Sequence, residues 1–279
     1  MIKISCKYSE RELESILRKM FFVKGRVHCT NCWYTHVYKL KNDGRYHCPK
    51  CRKKFSIFSH TWMRHLRIPL TTFMILLWSW MKEYSVIQAQ DLTDLSIPSI
   101  RRYFRLFRLH VVKSVVFEPQ QSVQVDEAYF GSFKKLANQY HGFQKYRMKP
   151  KVCVAGIACP SLGQLAMRVI EGVKTKPIQN FIREKVPTDV WVYSDGSPIY
   201  NDLKRTHWHL SQTHDLGFAT AAYIEGCWSW TKRRLFKQYH HFTLKYAQEY
   251  VSELEWRYNT RKQPKDPLTT LRNSLSLFH

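Results

Sequence analysis

Acidic residues are scarce in this 279-residue chain. Its 21 Asp+Glu stand against 45 Lys+Arg, a formal net charge of +24 with a sequence pI near 9.8. That imbalance points to a polyanionic partner, nucleic acid ahead of an acidic membrane surface. A membrane-spanning run is missing as well. The longest apolar stretch, Ile68–Met81, is broken by Pro69, Thr71 and Thr72 and reads as a buried helix. The opening residues, Met1 to Glu10, show neither an apolar h-region nor a cleavage site, so no signal peptide is expected. The expectation is a soluble protein in a reducing compartment, where paired cysteines mean metal before disulfide. Internal repeats and low-complexity tracts are also lacking.

What is present supports folded domains. Hydrophobic residues make up 44% and aromatics 15%, which excludes a disordered basic tail. Residues 1–118 carry 22 Lys+Arg and 8 Asp+Glu, against 23 and 13 in residues 119–279, so the first segment is the more densely basic. Ser9 and Glu12 form a capping-box pattern ahead of Leu13, Ile16, Leu17, Met20 and Phe21 at helical spacing. Pro69–Lys82, Val86–Leu92 and Ser99–Val112 predict three helices, with a break at Ser96-Ile97-Pro98. Beyond Pro119 the pattern turns to strands: Ser122–Phe130, Lys151–Cys159, and Gln164–Ile170 after a Pro160–Gly163 turn. A helix over Lys176–Lys185, a strand over Val190–Ser194, and helices over Ala221–Lys237 and Leu244–Arg261 complete a mixed α/β domain with a central sheet. The expected division is 1–60, an N-terminal helix and ribbon; 61–118, a helical unit; and 119–279, the α/β domain.

Cys29-x-x-Cys32 and Cys48-x-x-Cys51, with 15 residues between, have the spacing of two zinc knuckles. Two thiolates from each complete a closed tetrahedron, so Cys29, Cys32, Cys48 and Cys51 are the expected ligands of a structural Zn2+. A redox role lacks the βαβ context it needs. His28 and His47 flank the knuckles as alternative ligands or as neighbours. Lys50, Arg52, Lys53 and Lys54 make the surrounding loop basic, fit either for phosphate contact or for a solvated face.

The helices around Ser96-Ile97-Pro98 fit helix-turn-helix geometry. Arg101, Arg102, Arg105 and Arg108 place three or four guanidinium groups on one side of the last helix, with Tyr103, Phe104, Leu106, Phe107 and Leu109 on the remaining arc. Such a face enters a major groove or rides a phosphate backbone; an amphipathic surface helix with solvated arginines gives the same pattern.

Against this basic background three acids stand out. Asp126 lies in mid-strand, Asp195 ends a strand before Gly196, and Glu225 opens a helix. A buried carboxylate needs a cation or donor nearby. Three carboxylates from separate elements can hold a pair of Mg2+ or Mn2+ ions for phosphodiester chemistry. Singly, Asp195-Gly196 is also an ordinary turn, and Glu225 a helix-start acid favoured by the macrodipole.

Val-Asp-Glu-Ala-Tyr-Phe-Gly (125–131), Tyr-Ser-Asp-Gly (193–196) and Ile-Glu-Gly-Cys-Trp-Ser-Trp-Thr-Lys-Arg (224–233) resemble the catalytic blocks of zinc-ribbon insertion-sequence transposases. These belong to the DDE superfamily, in the bacterial group related to Merlin elements, with an ISXO-like DDE transposase domain. Cys48–Ser56 and Ile68-Pro-Leu70 resemble the family's ribbon and its exit; Tyr239-His-His241 and Trp256-Arg-Tyr-Asn259 resemble its C-terminal blocks. The likeness runs from about residue 25 to 265. Ser132 stands where relatives carry a second glycine, and Ala222-Tyr-Ile-Glu225 replaces the usual Asn-Thr-Ile-Glu.

The resemblance implies an RNase H-like mixed-sheet catalytic domain preceded by a zinc ribbon and a helix-turn-helix-like unit. Asp126, Asp195 and Glu225 match the metal-binding triad, and Lys232 matches a lysine that holds the DNA end. Lys232, Arg233, Arg234 and Lys237 also form a basic helix end that can grip phosphates. The implied activity is binding of terminal inverted repeats, metal-dependent strand cleavage and transfer to target DNA, by a homo-oligomer. It would work in the bacterial cytoplasm at the nucleoid, or in the nucleus of a eukaryotic host. Two other readings share these residues: a domesticated, catalytically idle DNA-binding protein, and a metal-dependent nuclease that cuts without joining. Glu127 and His214 are adjuncts, Glu127 pointing to the opposite strand face.

Overall fold

The capping box that Ser9 and Glu12 predict is closed in both directions. Ser9 Oγ accepts from the Glu12 N–H, and Glu12 Oε2 accepts from the Ser9 N–H at 2.8 Å, starting α1 (Glu10–Phe21). This computed structural model describes residues 6–41, 44–112, 116–130, 152–170, 175–212, 222–239, 244–263 and 266–275. His214, His240, His241, Gly131 and Ser132 lie outside them. The chain divides into two units, Met1–Val111 with Pro264–His279, and Val112–Gln263.

In the first unit, β1 (Tyr38–Lys39), β2 (Tyr46–His47) and β3 (Lys54–Phe55) form a small antiparallel sheet in that order. Next come α2 (Leu70–Met81), α3 (Val86–Thr93) and α4 (Ile97–His110), each packed on the other two. Helix α2 begins at Pro69, which offers no side-chain cap. Glu10 of α1 supplies one, its two oxygens accepting from the Leu70 and Thr71 N–H groups at 2.7 and 3.0 Å. The α3–α4 turn passes through Asp94 in the left-handed region, φ 55°. Helix α4 starts two residues earlier than its expected Ser99, because Pro98 fits inside a first helical turn. A last helix, α8 (Pro267–Leu275), packs on α2, so Pro264–His279 stands with this unit rather than with the α/β residues it follows.

The second unit holds β4 (Ser122–Phe130), β5 (Val152–Cys159), β6 (Gln164–Ile170), β7 (Trp191–Asp195) and β8 (His209–Gln212), in the order β6-β5-β4-β7-β8. The first three strands are antiparallel, while β7 and β8 run parallel to β4. That order and those directions define an RNase H-like fold. Gly163 turns the β5–β6 hairpin at φ +65°, which a side chain would resist. One face carries Val123, Val125 and Ile157 against α5 (Thr175–Lys185) and the 3-10 segment Pro198–Arg205. The other carries Ala128, Phe130 and Val154 against α6 (Ala222–Gln238) and α7 (Ala247–Asn259). The alternation along β4 therefore sends odd-numbered residues to α5 and even-numbered ones to α6.

Helix α7 also closes a sheet edge. The outward N–H groups of Leu165, Met167 and Val169 on β6 donate to Asn259, Glu255 and Gln248 at 2.8, 2.6 and 2.9 Å. Side chains thus occupy the donors that an open edge strand would offer to another chain.

Candidate active site and cysteine centre

The parallel pairing of β4 and β7 ends at Gln124 opposite Tyr193. Asp126 and Asp195 each lie two residues further along their strands, so strand alternation sends both to the α6 face. Gln124, on the same face, accepts from the Ile224 N–H at 3.0 Å. That bond ties the first turn of α6 to β4 and puts Glu225 beside the strand ends. Asp126 and Asp195 are half-buried and Glu225 is exposed.

Both Asp126 oxygens are engaged: Oδ1 accepts from the Glu127 N–H at 2.8 Å and Oδ2 from the Trp228 indole at 2.9 Å. Burial pushes the Asp126 carboxyl above the usual range, those donors pull it back, and the charges of Asp195 and Glu225 raise it again. Asp195 and Glu225 thus both act on Asp126 electrostatically. Asp195 Oδ1 accepts from the Ser197 N–H at 3.0 Å, which fixes the turn after β7. Glu127 faces the other way and accepts from buried Tyr200. Lys232 lies two turns after Glu225 with its ammonium over the Phe130 ring, 5.8 Å from the centroid. Arg233 is exposed, and its Nε donates to the Ser229 carbonyl.

The cysteine centre is tighter. Cys29, Cys32, Cys48 and Cys51 bring their sulfurs within 4.8 Å of one another, and among the described residues no other set of metal-ligating side chains does so. The carboxylates of Asp126, Asp195 and Glu225 do not all lie that close. The Cys29–Cys51 and Cys32–Cys48 sulfurs are 3.5 Å apart. A tetrahedral thiolate site with zinc–sulfur bonds near 2.3 Å separates its sulfurs by about 3.8 Å, so the set fits zinc. The two knuckles are built alike. The Trp33 N–H donates to Cys29 O and Arg52 to Cys48 O, while Cys29 donates to Tyr34 O and Cys48 to Lys53 O. The Tyr34 N–H favours the Cys32 thiolate, yet burial and the neighbouring thiols push it up to about 12. The Lys53 N–H, with the same neighbours, brings Cys51 down to about 7.

Around this centre Lys53 and Lys54 are exposed, Lys53 donating to Asn31 at 2.7 Å. Lys50 sits over the Tyr34 ring. On α4, Arg101, Arg102 and Arg105 are exposed, but Arg108 is not. Of the three or four guanidinium groups expected on one side, three are exposed: Arg108 follows buried Phe104 by one turn and falls at the edge of the packed face. Leu109, assigned to the apolar arc, is 49% exposed.

Residues 120–259, which contain Asp126, Asp195 and Glu225, match the model of the ISXO2-like transposase domain. The chain belongs to this transposase family. Membership carries a DNA transposase type of function, an enzyme that works on DNA strands. No curated protein matches the chain. Among solved structures, the catalytic core domain of BIV integrase is similar at 14% identity, covering 52% of this chain and 87% of that one, TM-score 0.33. The HTLV-2 integrase catalytic core domain in complex with magnesium is similar at 10% identity over 50% and 85%, TM-score 0.32. A simian T-cell lymphotropic virus intasome in complex with a PP2A regulatory subunit is similar at 9% identity over 66% and 67%, TM-score 0.35. Among the described residues no helix is long and apolar enough to cross a membrane.

Sequence reasoning passed over Trp228, Gly156 and Gln124, whose partners are remote in the chain. It also passed over the backbone at Trp33 and Arg52, both in the left-handed region at φ 60°. The repeated Cys-x-x-Cys-x pattern was the available signal for the last two.

Proposed function

We propose that this transposase binds the terminal inverted repeats of a mobile element and both cleaves and joins DNA strands with Asp126, Asp195 and Glu225. The observation that carries this reading is the adjacency of Asp126 and Asp195 on parallel strands, with Glu225 tied beside them by the Gln124–Ile224 bond. Three carboxylates are hard oxygen donors, suited to Mg2+ or Mn2+ and unlike the thiolate centre. Bound divalent ions would supply activation of an attacking hydroxyl and stabilisation of the leaving oxygen. Asp126, Asp195 and Glu225 would hold them, Trp228 and the Glu127 N–H fixing how Asp126 points.

In the first reaction a water oxygen bonds to phosphorus as the bond to the 3′-oxygen breaks, releasing a 3′-hydroxyl. In the second, that hydroxyl attacks a target phosphorus and a target 3′-oxygen leaves. Lys232 and Arg233, on the helix that carries Glu225, would grip phosphates of the DNA end. The Zn2+ held by Cys29, Cys32, Cys48 and Cys51 is structural, stiffening a ribbon whose Lys53 and Lys54 contact phosphate. Arg101, Arg102 and Arg105 of α4 add a second DNA-contacting face. Joining paired ends calls for at least two copies. The place of action is the DNA itself, at a bacterial nucleoid or in a nucleus.

The test is incubation with a duplex ending in the inverted repeat that flanks the gene, in Mg2+. Wild type should nick and join the end, and Asp195→Asn should do neither. Equal activity in the variant would remove the catalytic assignment, while nicking without joining by wild type would make the protein a nuclease.

A further inference from the structure

The Asp126–Trp228 bond joins β4 to α6 at the acid cluster, and the strand beneath it is shaped for it. Asp126 pairs with Gly156 of β5 in the antiparallel register. A Cβ at Gly156 would stand 2.5 Å from both Cζ2 and Cη2 of Trp228 and 3.4 Å from Cδ1 of Ile224. Gly156 does not adopt a positive φ, so no backbone conformation calls for glycine here. What calls for it is room for the indole. The ring is buried, 5% exposed, and packs edge-on against Phe130 with centroids 6.1 Å apart. From that seat its N–H reaches Asp126 Oδ2 at 2.9 Å. A buried indole N–H needs an acceptor, and a charged one gives the stronger bond.

We infer that Trp228 is a positioning residue for Asp126, and that Gly156 is the cavity that lets it act. This inference rests on the reading of Asp126 as a metal-holding acid. Trp228 lies one turn after Glu225 on α6, so the helix that delivers one acid also orients another. With the indole on Oδ2 and the Glu127 N–H on Oδ1, the carboxylate plane is fixed. The remaining lone pairs of both oxygens are left for ions. Two N–H donors holding one first ligand resemble the outer hydrogen bonds that orient ligands at metal centres generally. A loosened Asp126 would still be present but would bind metal less well.

The experiment compares wild type, Trp228→Phe, Gly156→Ala and Asp126→Asn as full-length protein. Trp228→Phe keeps an aromatic side chain and loses the N–H; Gly156→Ala keeps the N–H and displaces the ring. Each should raise the Mg2+ or Mn2+ concentration needed for half-maximal binding, read by calorimetry without DNA, by about tenfold, as expected from losing a hydrogen bond to a charged group. Spectra of protein 15N-labelled at its nine tryptophans give a second readout. The indole signal absent from Trp228→Phe should move in Asp126→Asn and on adding Mg2+ to wild type. A merely structural tryptophan would lower the melting temperature without either change. Wild-type metal affinity in a folded Trp228→Phe or Gly156→Ala would overturn the inference. An indole spectrum indifferent to Asp126→Asn would overturn it as well, and needs no destabilised variant. Loss of cleavage in Asp126→Asn alongside either result would leave the catalytic reading standing. Wild-type cleavage by Asp126→Asn would sink that reading instead.

Discussion

The cysteine centre and the acid cluster both gather ligands, but they relate to the chain in opposite ways. The four thiols lie between Cys29 and Cys51, and each pair is closed by its own turn, with matching bonds in both knuckles. The three acids lie between Asp126 and Glu225 and meet through strand pairing and two bonds from β4 to α6, Gln124–Ile224 and Asp126–Trp228. The chemistry differs too. Thiolates are soft donors suited to Zn2+, whereas carboxylates are hard donors suited to Mg2+ or Mn2+. On the proposed function, the structural centre is local and closed, and the reactive one is assembled from afar and left open.

The largest effect that could break this contrast is on the local side. Cys48→Ser should release the zinc and melt the ribbon, since structural zinc contributes on the order of 10 kcal/mol to such small folds. Elemental analysis should find one zinc per chain in wild type and none in the variant. A variant that kept its metal would show that the ribbon does not depend on the closed tetrahedron.

Next in size is the remote side. Asp195→Asn should lower strand cleavage by about 10³-fold or more, the scale of losing one preorganised electrostatic contributor to the transition state. Its zinc content and melting temperature should stay at wild-type values. If Asp195→Asn also unfolded the protein, the acid would be part of the architecture, and the contrast between closed and open centres would fail.

A carboxylate outside both centres sharpens the comparison. Glu255 caps the Met167 N–H of the β6 edge, and burial pushes it up to about 7, with the Met167 N–H, Lys185 and Arg168 pulling back. An acid whose folded pKa is raised contributes its stability below the unfolded value near 4.5 and loses it as pH rises through about 7. Glu255→Gln keeps an acceptor for Met167 and removes the ionisation. Denaturation at several pH values should find the variant gaining on wild type from pH 5 to 8, by about 2–3 kcal/mol at the upper end. A constant difference would mean that Glu255 ionises freely, as an exposed acid does.

What could be read from the sequence follows the same division. Capping box, helix periods, strand alternation and the knuckle spacing are local, and the structure has α1, the α3–α4 pair, β4 and the cysteine set where they point. The odd–even rule along β4 separates Asp126 from Glu127, sending one to Trp228 and the other to Tyr200. Contacts between distant residues left no such signal. Glu10 capping α2, Gln124 holding α6, α7 sealing β6 and Gly156 seating Trp228 all join residues far apart in the chain. A period says which face is buried but not what covers it, and for that reason the spacing left open whether Arg108 joins the exposed arginines, which it does not.

The smallest effect is a test of the local centre alone. Trp33 and Arg52 occupy equivalent places in the two knuckles, each in the left-handed region at φ 60°, where an L side chain is strained. Replacing Arg52 by glycine should therefore stabilise the ribbon by about 1 kcal/mol. Trp33→Gly should gain less, because the Trp33 ring stacks on His28 with centroids 5.0 Å apart and that contact is lost. Chelator titration of the two variants reads the difference. The proposed function adds an opposite effect in a second assay. Arg52 is an exposed guanidinium beside Lys53 and Lys54, so Arg52→Gly should bind DNA more weakly, with a shallower salt dependence. A ribbon that becomes more stable while losing DNA affinity would show that the strain at position 52 is kept for the side chain it presents. A ribbon that becomes more stable with DNA affinity intact would place the contact elsewhere, on Lys53, Lys54 or the three exposed arginines of α4.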